Sequence, residues 1–170
     1  HDAIAAVDIG GTNLRVGIVD LKMRKGDVSK AAVWKMLHWR HRDEKPSREE
    51  AVQRLADMVT ELTDKALEAK LKLAPFLGIA CPGLIDDDGT ILSGGQNLPG
   101  NWQEEGFRLD AALAEKLPRI DGHEPAMLIH NDAVVQGLSE VSNMGDVARW
   151  GVLTIGTGLG NARFTNRPKE

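Results

Sequence analysis

The stretch IAAVDIGGTNLRVGIVD, residues 4–20, decides the fold of this chain. Two apolar runs of β-type residues flank the glycine-rich segment DIGGTN at 8–13, which predicts two antiparallel strands joined by a turn. Glycine lets a backbone approach a ligand closely and adopt positive φ, so such a turn can present a row of N–H groups to an anion. The opening of the chain therefore predicts a β-hairpin with a phosphate-binding tip.

A second turn of the same design lies near the other end of the chain. GTGLG at 156–160 follows the apolar run VLTI and precedes another extended stretch, so residues 151–166 predict a second hairpin. Two such turns in one fold indicate a clamp that closes on the phosphates of a nucleotide from both sides. The alternative is that both are ordinary turns, since turn chemistry selects the same residue types.

Strands and helices alternate between the two turns. Residues 31–39 extend the opening strand meander, and residues 40–45 form a charged loop. Ser47 and Glu50 have the spacing of a capping box, so a helix begins at Ser47 and ends near Lys72. The apolar stripe of this helix consists of Ala51, Leu55, Met58, Leu62 and Ala66, with either Leu67 or Ala69 as a further candidate.

The second half of the chain continues this alternation. The predicted elements are a buried strand at 75–81, a hairpin at 84–93, a polar loop at 93–103, a helix at 104–117, a buried strand at 126–129 and a helix from Asp132. A strand meander followed by helix, strand, helix, strand and helix describes an α/β fold of the ribonuclease-H-like type. We therefore predict that residues 1–150 form such a lobe, and that residues 151–170 are the opening hairpin of an incomplete second lobe.

Composition argues against several classes of function. The 170-residue chain is 42% hydrophobic and 27% charged, and its net charge of −4 comes without a basic block that could follow a nucleic-acid backbone. No apolar run approaches the ~20 residues that span a bilayer, and no charged-then-apolar leader opens the sequence. The one cysteine, Cys81, fits a reducing compartment. We expect a cytoplasmic protein without membrane or nucleic-acid partners.

The first turn has the residue types that a phosphate and its magnesium ion require. Asp8 ends the first strand, where its carboxylate can hold Mg²⁺ through water. The N–H groups of the turn and the Thr12 hydroxyl can bind phosphate oxygens. The predicted phosphate-binding residues are Asp8, Gly10, Gly11, Thr12 and Asn13 from the first turn, and Gly156, Thr157 and Gly158 from the second.

A carboxylate that can act as a base follows the last predicted strand before the second hairpin. Asp132 lies at the start of a helix, where the helix dipole favours an ionised carboxylate. Transfer of a phosphoryl group to an alcohol requires a group that takes the hydroxyl proton, and we assign this catalytic role to Asp132. The alternative is helix capping, which explains one residue of the Asn131–Asp132 pair more readily than both.

Three positions are candidate contacts for a sugar substrate: Gly83, Asn97 and Asn131. Asparagine amides donate and accept hydrogen bonds together, as neighbouring sugar hydroxyls require. Trp102 follows a loop in a way more typical of a core residue. No metal-ligand spacing relates the histidines at positions 38, 41, 123 and 130.

Five motifs, DIGGTNLRVGIVD, CPGLID, NLPGNW, HNDA and TIGTGLG, occur in this order along the chain. They resemble the ROK family (repressors, open reading frames and kinases) of bacterial sugar kinases, in the actin and hexokinase superfamily. The resemblance implies the first lobe of an actin-like ATPase fold, and phosphoryl transfer from Mg-ATP to a hexose with Asp132 as base. CPGLID, NLPGNW and NDA are also similar to polyphosphate-dependent glucokinases, so the donor could be ATP or polyphosphate.

Members of this family continue beyond the second glycine turn. Their second lobe carries a Glu-x-Gly-His sugar-binding segment and a cysteine-rich zinc site, and this sequence has no cysteine after Cys81. We therefore expect no zinc. We also expect a homodimer or larger homo-oligomer, because the unpaired edges of the 151–166 hairpin invite pairing with another chain.

Three functional hypotheses remain open at this point. The first is a hexose kinase such as a glucokinase, either a fragment of a longer enzyme or a compact member completed by dimerisation. The second is a non-catalytic module that binds sugar or phosphate, or an inactive fragment. The third is an interaction protein in which both glycine turns are merely turns. Asp132 favours the first hypothesis, since a binding module has no need of a base.

Overall fold

The computed structural model describes residues 1–23 and 28–167. The strands of these residues form one five-stranded mixed sheet and two separate two-stranded hairpins. Residues 168–170 of the predicted second lobe lie outside the described residues. In chain order the elements are β1 (Ala3–Ile9), β2 (Leu14–Asp20), β3 (Ala32–Trp39), α1 (His41–Glu44), α2 (Arg48–Glu68), β4 (Leu73–Cys81), β5 (Leu84–Ile85), β6 (Ile91–Ser93), α3 (Leu109–Ala114), β7 (Ala126–Asn131), α4 (Asp132–Glu140), β8 (Arg149–Ile155) and β9 (Leu159–Thr165).

The central sheet has the strand order β3-β2-β1-β4-β7. β1, β2 and β3 form the predicted antiparallel meander, in which Val7 lies opposite Val16. β4 and β7 extend the sheet in parallel to β1, with Ile79 opposite Val7. The carboxyl ends of β1, β4 and β7 therefore meet at one edge of the sheet, which is where ligands bind in open α/β sheets.

The long helix α2 packs on one face of this sheet. Its predicted capping box is confirmed, because Ser47 Oγ accepts a hydrogen bond from Glu50 N at 3.2 Å and Glu50 Oε2 accepts one from Ser47 N at 2.8 Å. The helix ends at Glu68 rather than near Lys72, since Lys70 turns left-handed with a φ of 61°. Five residues of the predicted apolar stripe are buried, whereas the further candidates Leu67 and Ala69 are exposed; the buried ones are Ala51, Leu55, Met58, Leu62 and Ala66.

Two predicted segments differ from the structure. The charged loop expected at 40–45 contains the single helical turn α1, whose first residue, His41, is buried. The helix expected at 104–117 is limited to α3, because Gly106 adopts a φ of 83° and interrupts the helical backbone before it. A left-handed residue cannot continue a right-handed helix, so the helix begins only after it.

β7 is more exposed than its apolar sequence predicts. Of the run AMLI at 126–129, only Ile129 is buried, and Leu128 is half exposed. β7 is the last strand of the sheet within the described residues, so one of its edges has no neighbouring strand there. The prediction of a buried strand is correct for the strand and wrong for its burial.

The hairpin β8–β9 packs against α4. A Cβ built at Gly137 would lie 2.1 Å from Phe164 Cε2, so glycine is what allows this ring to lie on the helix. The Phe164 ring also stacks on Trp150 with centroids 4.3 Å apart. Asn166 Nδ2 donates a hydrogen bond to Met144 O at 2.6 Å and thereby ties the end of β9 to the segment after α4. These contacts hold the open end of the hairpin against α4 and the segment after it.

Candidate phosphate and sugar site

An open cleft of about 670 Å³ lies where the carboxyl ends of β1, β4 and β7 meet the β8–β9 hairpin. This volume is within the range of roughly 300–1,000 Å³ that small-molecule sites occupy. Every site residue predicted from the sequence lines the cleft. These residues are Asp8, Gly10, Gly11, Thr12, Asn13, Gly83, Asn97, Asn131, Asp132, Gly156, Thr157 and Gly158.

The first glycine turn is closed and tightly packed. Gly10 N donates a hydrogen bond to Asn13 O at 2.8 Å across the turn. A Cβ built at Gly11 would lie only 2.7 Å from Asn97 Cβ, so glycine is required there by the approach of another segment. The Asn13 side chain is also held, because its Oδ1 accepts a hydrogen bond from His38 Nε2 at 2.8 Å.

The second glycine turn faces the first one. Gly156 N donates a hydrogen bond to Gly158 O at 2.9 Å and shapes the turn. Thr157 Oγ1 lies 3.0 Å from Thr12 Oγ1, so the two hydroxyls form a hydrogen bond between the turns. The positions of a Cβ at Gly156 and at Gly158 have no neighbouring atom within 4 Å, which leaves the backbone accessible from the cleft.

Left-handed glycines occur in the cleft, but outside the two glycine turns. None of the glycines in the two turns has a φ in the left-handed region. Gly83 and Gly94 adopt that conformation instead, with φ of 113° and 84°. A Cβ built at Gly94 would lie 2.7 Å from Gly83 Cα, so these two glycines pack on each other. In the first turn, Gly11 is therefore required by the close approach of Asn97 and not by a left-handed backbone.

The start of α4 brings Asp132 to the cleft. Asn131 is the N-cap of this helix, and its Oδ1 accepts hydrogen bonds from Ala133 N at 2.9 Å and Val134 N at 3.3 Å. Asn131 Nδ2 donates to Gly83 O at 2.7 Å and keeps one amide hydrogen for a ligand. Asp132 Oδ1 accepts from Ala133 N at 2.8 Å, so the capping contacts do not use Asp132 Oδ2.

Five polar residues of the cleft were not predicted: Arg15, Gln96, His130, Thr154 and Asn161. Arg15 lies opposite Asp8 in the β1–β2 register, and its Nη1 donates to Asp8 Oδ2 at 2.7 Å. Both side chains are about half exposed, so the pair itself contributes at most about 1 kcal/mol to stability. Hairpin register was the signal that could have found Arg15. The other four are sequence neighbours of predicted site residues, since Gln96 and His130 immediately precede two of them and Thr154 and Asn161 flank the second turn.

The cleft suits a magnesium ion that arrives with its phosphate ligand. Within residues 1–23 and 28–167, no three His, Cys, Asp or Glu side chains are grouped to hold a metal ion. Mg²⁺ at phosphate sites usually keeps water and takes only one or two carboxylates from the protein. Asp8 and Asp132 both line the cleft and supply oxygen donors of this kind. The residues present therefore fit such an ion.

Cys81 lies at the end of β4, beneath the cleft. Burial raises the pKa of its thiol well above the ordinary value, and the negative charges of Asp132 and Asp8 raise the pKa further. The folded protein thus keeps this thiol protonated at alkaline pH. The unfolded chain ionises it above a pH of about 8.5.

This difference predicts a loss of stability at alkaline pH. Because the folded state then binds one more proton than the unfolded state, the free energy of unfolding should fall by up to about 1.4 kcal/mol per pH unit above pH 8.5. The measurement is urea unfolding of the wild type and of Cys81→Ala at pH 7, 8, 9 and 10. The difference between the two proteins should be constant up to pH 8 and shrink by about 2 kcal/mol by pH 10. Parallel pH profiles of the free energy of unfolding in the two proteins would contradict a raised pKa of Cys81.

A model of the ROK family matches residues 4–168. The chain belongs to the ROK family. This ROK chain is 25% identical over 173 residues to a glucokinase from Thermotoga maritima, and the match covers 96% of the chain and 44% of that relative. The chain thus spans less than half the length of this curated relative.

Solved structures of the family share the fold. The inorganic polyphosphate/ATP-glucomannokinase from Arthrobacter sp. strain KM has a TM-score of 0.68 and 25% identity, over 98% of this ROK chain and 59% of that chain. A ROK family glucokinase from Streptomyces griseus, in complex with glucose and AMPPNP, has a TM-score of 0.67 and 21% identity, over 96% of this chain and 45% of that one. The predicted fold class, a lobe of the actin-like kinase fold, is confirmed.

Proposed function

We propose that this ROK chain is a hexose kinase unit, with ATP or polyphosphate as phosphoryl donor and a hexose such as glucose as acceptor. The observation that carries the proposal is the meeting of both glycine turns with Asp132 in one cleft. A Cβ position at Gly160, just after the second turn, lies 3.4 Å from Asp132 Oδ1. The relatives named glucokinase and polyphosphate/ATP-glucomannokinase support this class of substrate and donor.

The two turns bind the donor phosphates from opposite sides. The donors for the phosphate oxygens are the backbone N–H groups of residues 11–13 and 157–158, which the hydrogen bonds that close the turns do not use. The Thr12 and Thr157 hydroxyls bond to each other, which leaves one hydroxyl hydrogen for a phosphate oxygen. Asp8 would hold Mg²⁺ through water, and the ion neutralises phosphate charge when it is bound. The donor is thereby fixed with its terminal phosphate toward the start of α4.

The hexose occupies the other half of the cleft, beside Gly83, Asn97 and Asn131. Its reacting hydroxyl gives its proton to Asp132 while the hydroxyl oxygen forms a bond to the terminal phosphorus. The bond between that phosphorus and the bridging oxygen breaks, and the shortened donor leaves with the electron pair. Asp132 therefore acts only as a proton acceptor and forms no bond to phosphorus.

A coupled phosphorylation assay tests this function. The chain is incubated with glucose and related hexoses, first with Mg-ATP and then with Mg-polyphosphate, and sugar phosphate is measured. Turnover supports the proposal and identifies the donor. Folded protein that shows no turnover but is thermally stabilised by glucose or ATP favours the non-catalytic binding module. Folded protein with neither turnover nor stabilisation contradicts both.

We also propose that a second copy of the chain covers the exposed apolar face of the β8–β9 hairpin, beside the cleft. Leu153, Ile155 and Leu159 are 61%, 80% and 69% exposed on this face, and Ile155 and Leu159 also line the cleft. Neither strand has a second neighbour within the described residues, and such edges favour pairing with another chain. Light scattering after gel filtration should give the mass of a dimer, and Leu153→Lys, which lies outside the cleft lining, should reduce this to the mass of one chain. A wild type with the mass of one chain would contradict this assembly.

The proposed cellular setting of this activity is the cytoplasm. Its support is the free and buried thiol of Cys81, which fits a reducing compartment. Among the described helices, none is long and apolar enough to cross a membrane.

A further inference from the structure

The short helix α1 contacts the backbone of the first glycine turn. His41 Nε2 donates a hydrogen bond to the Gly10 carbonyl oxygen at 2.7 Å. The next residue, Arg42, donates its backbone N–H to the Thr12 carbonyl oxygen at 3.3 Å. Neither His41 nor Arg42 lines the cleft. Two carbonyls of the turn are therefore bound by groups that a ligand in the cleft does not replace.

These two hydrogen bonds determine where the N–H groups of the turn point. In a trans peptide the carbonyl oxygen and the following N–H point in opposite directions. Holding the Gly10 oxygen toward α1 therefore directs the Gly11 N–H away from α1, and holding the Thr12 oxygen does the same for the Asn13 N–H. Gly11 and Asn13 both line the cleft. The hydrogen bonds to α1 thus set the orientation in which the turn meets an anion.

The His41 side chain is held in place by burial and by contact with a neighbouring ring. This side chain is 3% exposed, and its ring meets the edge of the Trp39 ring with centroids 5.8 Å apart. The hydrogen bond to Gly10 is part-buried, so loss of the imidazole donor leaves this carbonyl without a full replacement and weakens the hold of α1 on the turn. The Nε2 atom carries the proton, since a carbonyl oxygen can only accept.

We propose that His41 is a positioning residue for phosphate binding, which acts by orienting the backbone N–H groups of the first glycine turn. The proposal rests on the proposed function, in that the anion is taken to be the phosphate chain of the donor. It assigns a role to a histidine that touches neither donor nor sugar. It also gives a reason for the burial of a polar ring in a segment expected to be a charged loop.

The test compares two substitutions at this position. His41→Leu removes the donor, whereas His41→Gln keeps an N–H group at nearly the same reach. Val59→Ala, in the buried face of α2, is the control for a general loss of stability. Hydrogen exchange of the Gly10 amide, which closes the turn onto Asn13 O, reports the order of the turn without any ligand.

The second readout is ligand affinity. Isothermal titration measures binding of inorganic tripolyphosphate with Mg²⁺, and separately of glucose. We expect His41→Leu to speed Gly10 exchange and to weaken tripolyphosphate binding, each by about 3- to 10-fold, with glucose affinity unchanged. His41→Gln should restore both values to within about twofold of wild type, and Val59→Ala should change neither.

The outcomes separate this inference from the function on which it rests. Equal Gly10 exchange and equal tripolyphosphate affinity in wild type and His41→Leu would overturn the positioning role. The positioning role is also overturned if the leucine and glutamine variants behave alike, or if glucose affinity falls together with tripolyphosphate affinity. If Gly10 exchange responds but the wild type binds no tripolyphosphate, the phosphate role of the turn, and with it the proposed function, is contradicted.

Discussion

Replacing Asp132 by asparagine is expected to lower kcat for hexose phosphorylation by about 10²- to 10⁴-fold, the usual contribution of a general base. The amide has the shape of the carboxylate and keeps an oxygen for the Ala133 N–H, so α4 should retain its start. It cannot take up the hydroxyl proton at the moment of transfer. KM for the hexose and affinity for the donor should therefore change by less than about threefold.

The measurement is steady-state kinetics with the donor that supports turnover in the wild type. Asp87→Asn, at the exposed tip of the β5–β6 hairpin, removes the same charge outside the cleft and serves as the control. An Asp132→Asn enzyme with wild-type kcat would show that another group accepts the proton. A variant that loses donor affinity instead of kcat would make Asp132 a binding residue.

The second large effect is expected at Gly83. Gly83→Ala should lower the free energy of unfolding by about 2–4 kcal/mol, because two costs coincide there. The φ of 113° disfavours any residue with a Cβ, and that Cβ would lie 2.3 Å from Ser93 O, a backbone atom. Gly83 O also accepts the hydrogen bond from Asn131, the cap of α4, so strain at this point should reach the candidate base.

A comparison with Gly122 separates the cost of the backbone conformation from the cost of the contact with Ser93. Gly122 has a φ of 76° but no neighbouring atom within 4 Å of a built Cβ. Gly122→Ala should therefore cost only the backbone term of about 1 kcal/mol. Urea unfolding of both variants, with equal m-values, gives the comparison. Equal losses would show that the contact with Ser93 relaxes without cost.

The sequence predicted the composition of the cleft well for a physical reason. The candidate residues follow strands, and parallel strands end at the same edge of a sheet, so Asp8 and Asp132 line the same cleft. The two glycine turns could be paired only because both had the same strand–turn–strand pattern. Helix α2 was predictable from local rules alone, since Ser47 and Glu50 interact within one turn of helix.

The features that were missed depend on contacts between distant segments. Gly11 is required by the approach of Asn97, and the proposed role of His41 depends on the Gly10 carbonyl, which lies on another segment. Neither feature can be predicted from a local sequence pattern. The late start of the helix predicted at 104–117 came from one left-handed residue, Gly106, inside an otherwise helical pattern. The prediction that β7 is buried was wrong because apolar composition indicates a strand but not which elements pack on it.

The two glycine turns belong to separate sheets, joined through α4 and the segment that follows it. A ligand whose phosphates contact both turns therefore links the central sheet to the β8–β9 hairpin for as long as it is bound. Its binding free energy adds to the work needed to lift the β8–β9 hairpin from α4, by an amount set by ligand concentration. Under the proposed function, the resistance of this hairpin to a protease should thus rise with the concentration of the phosphoryl donor.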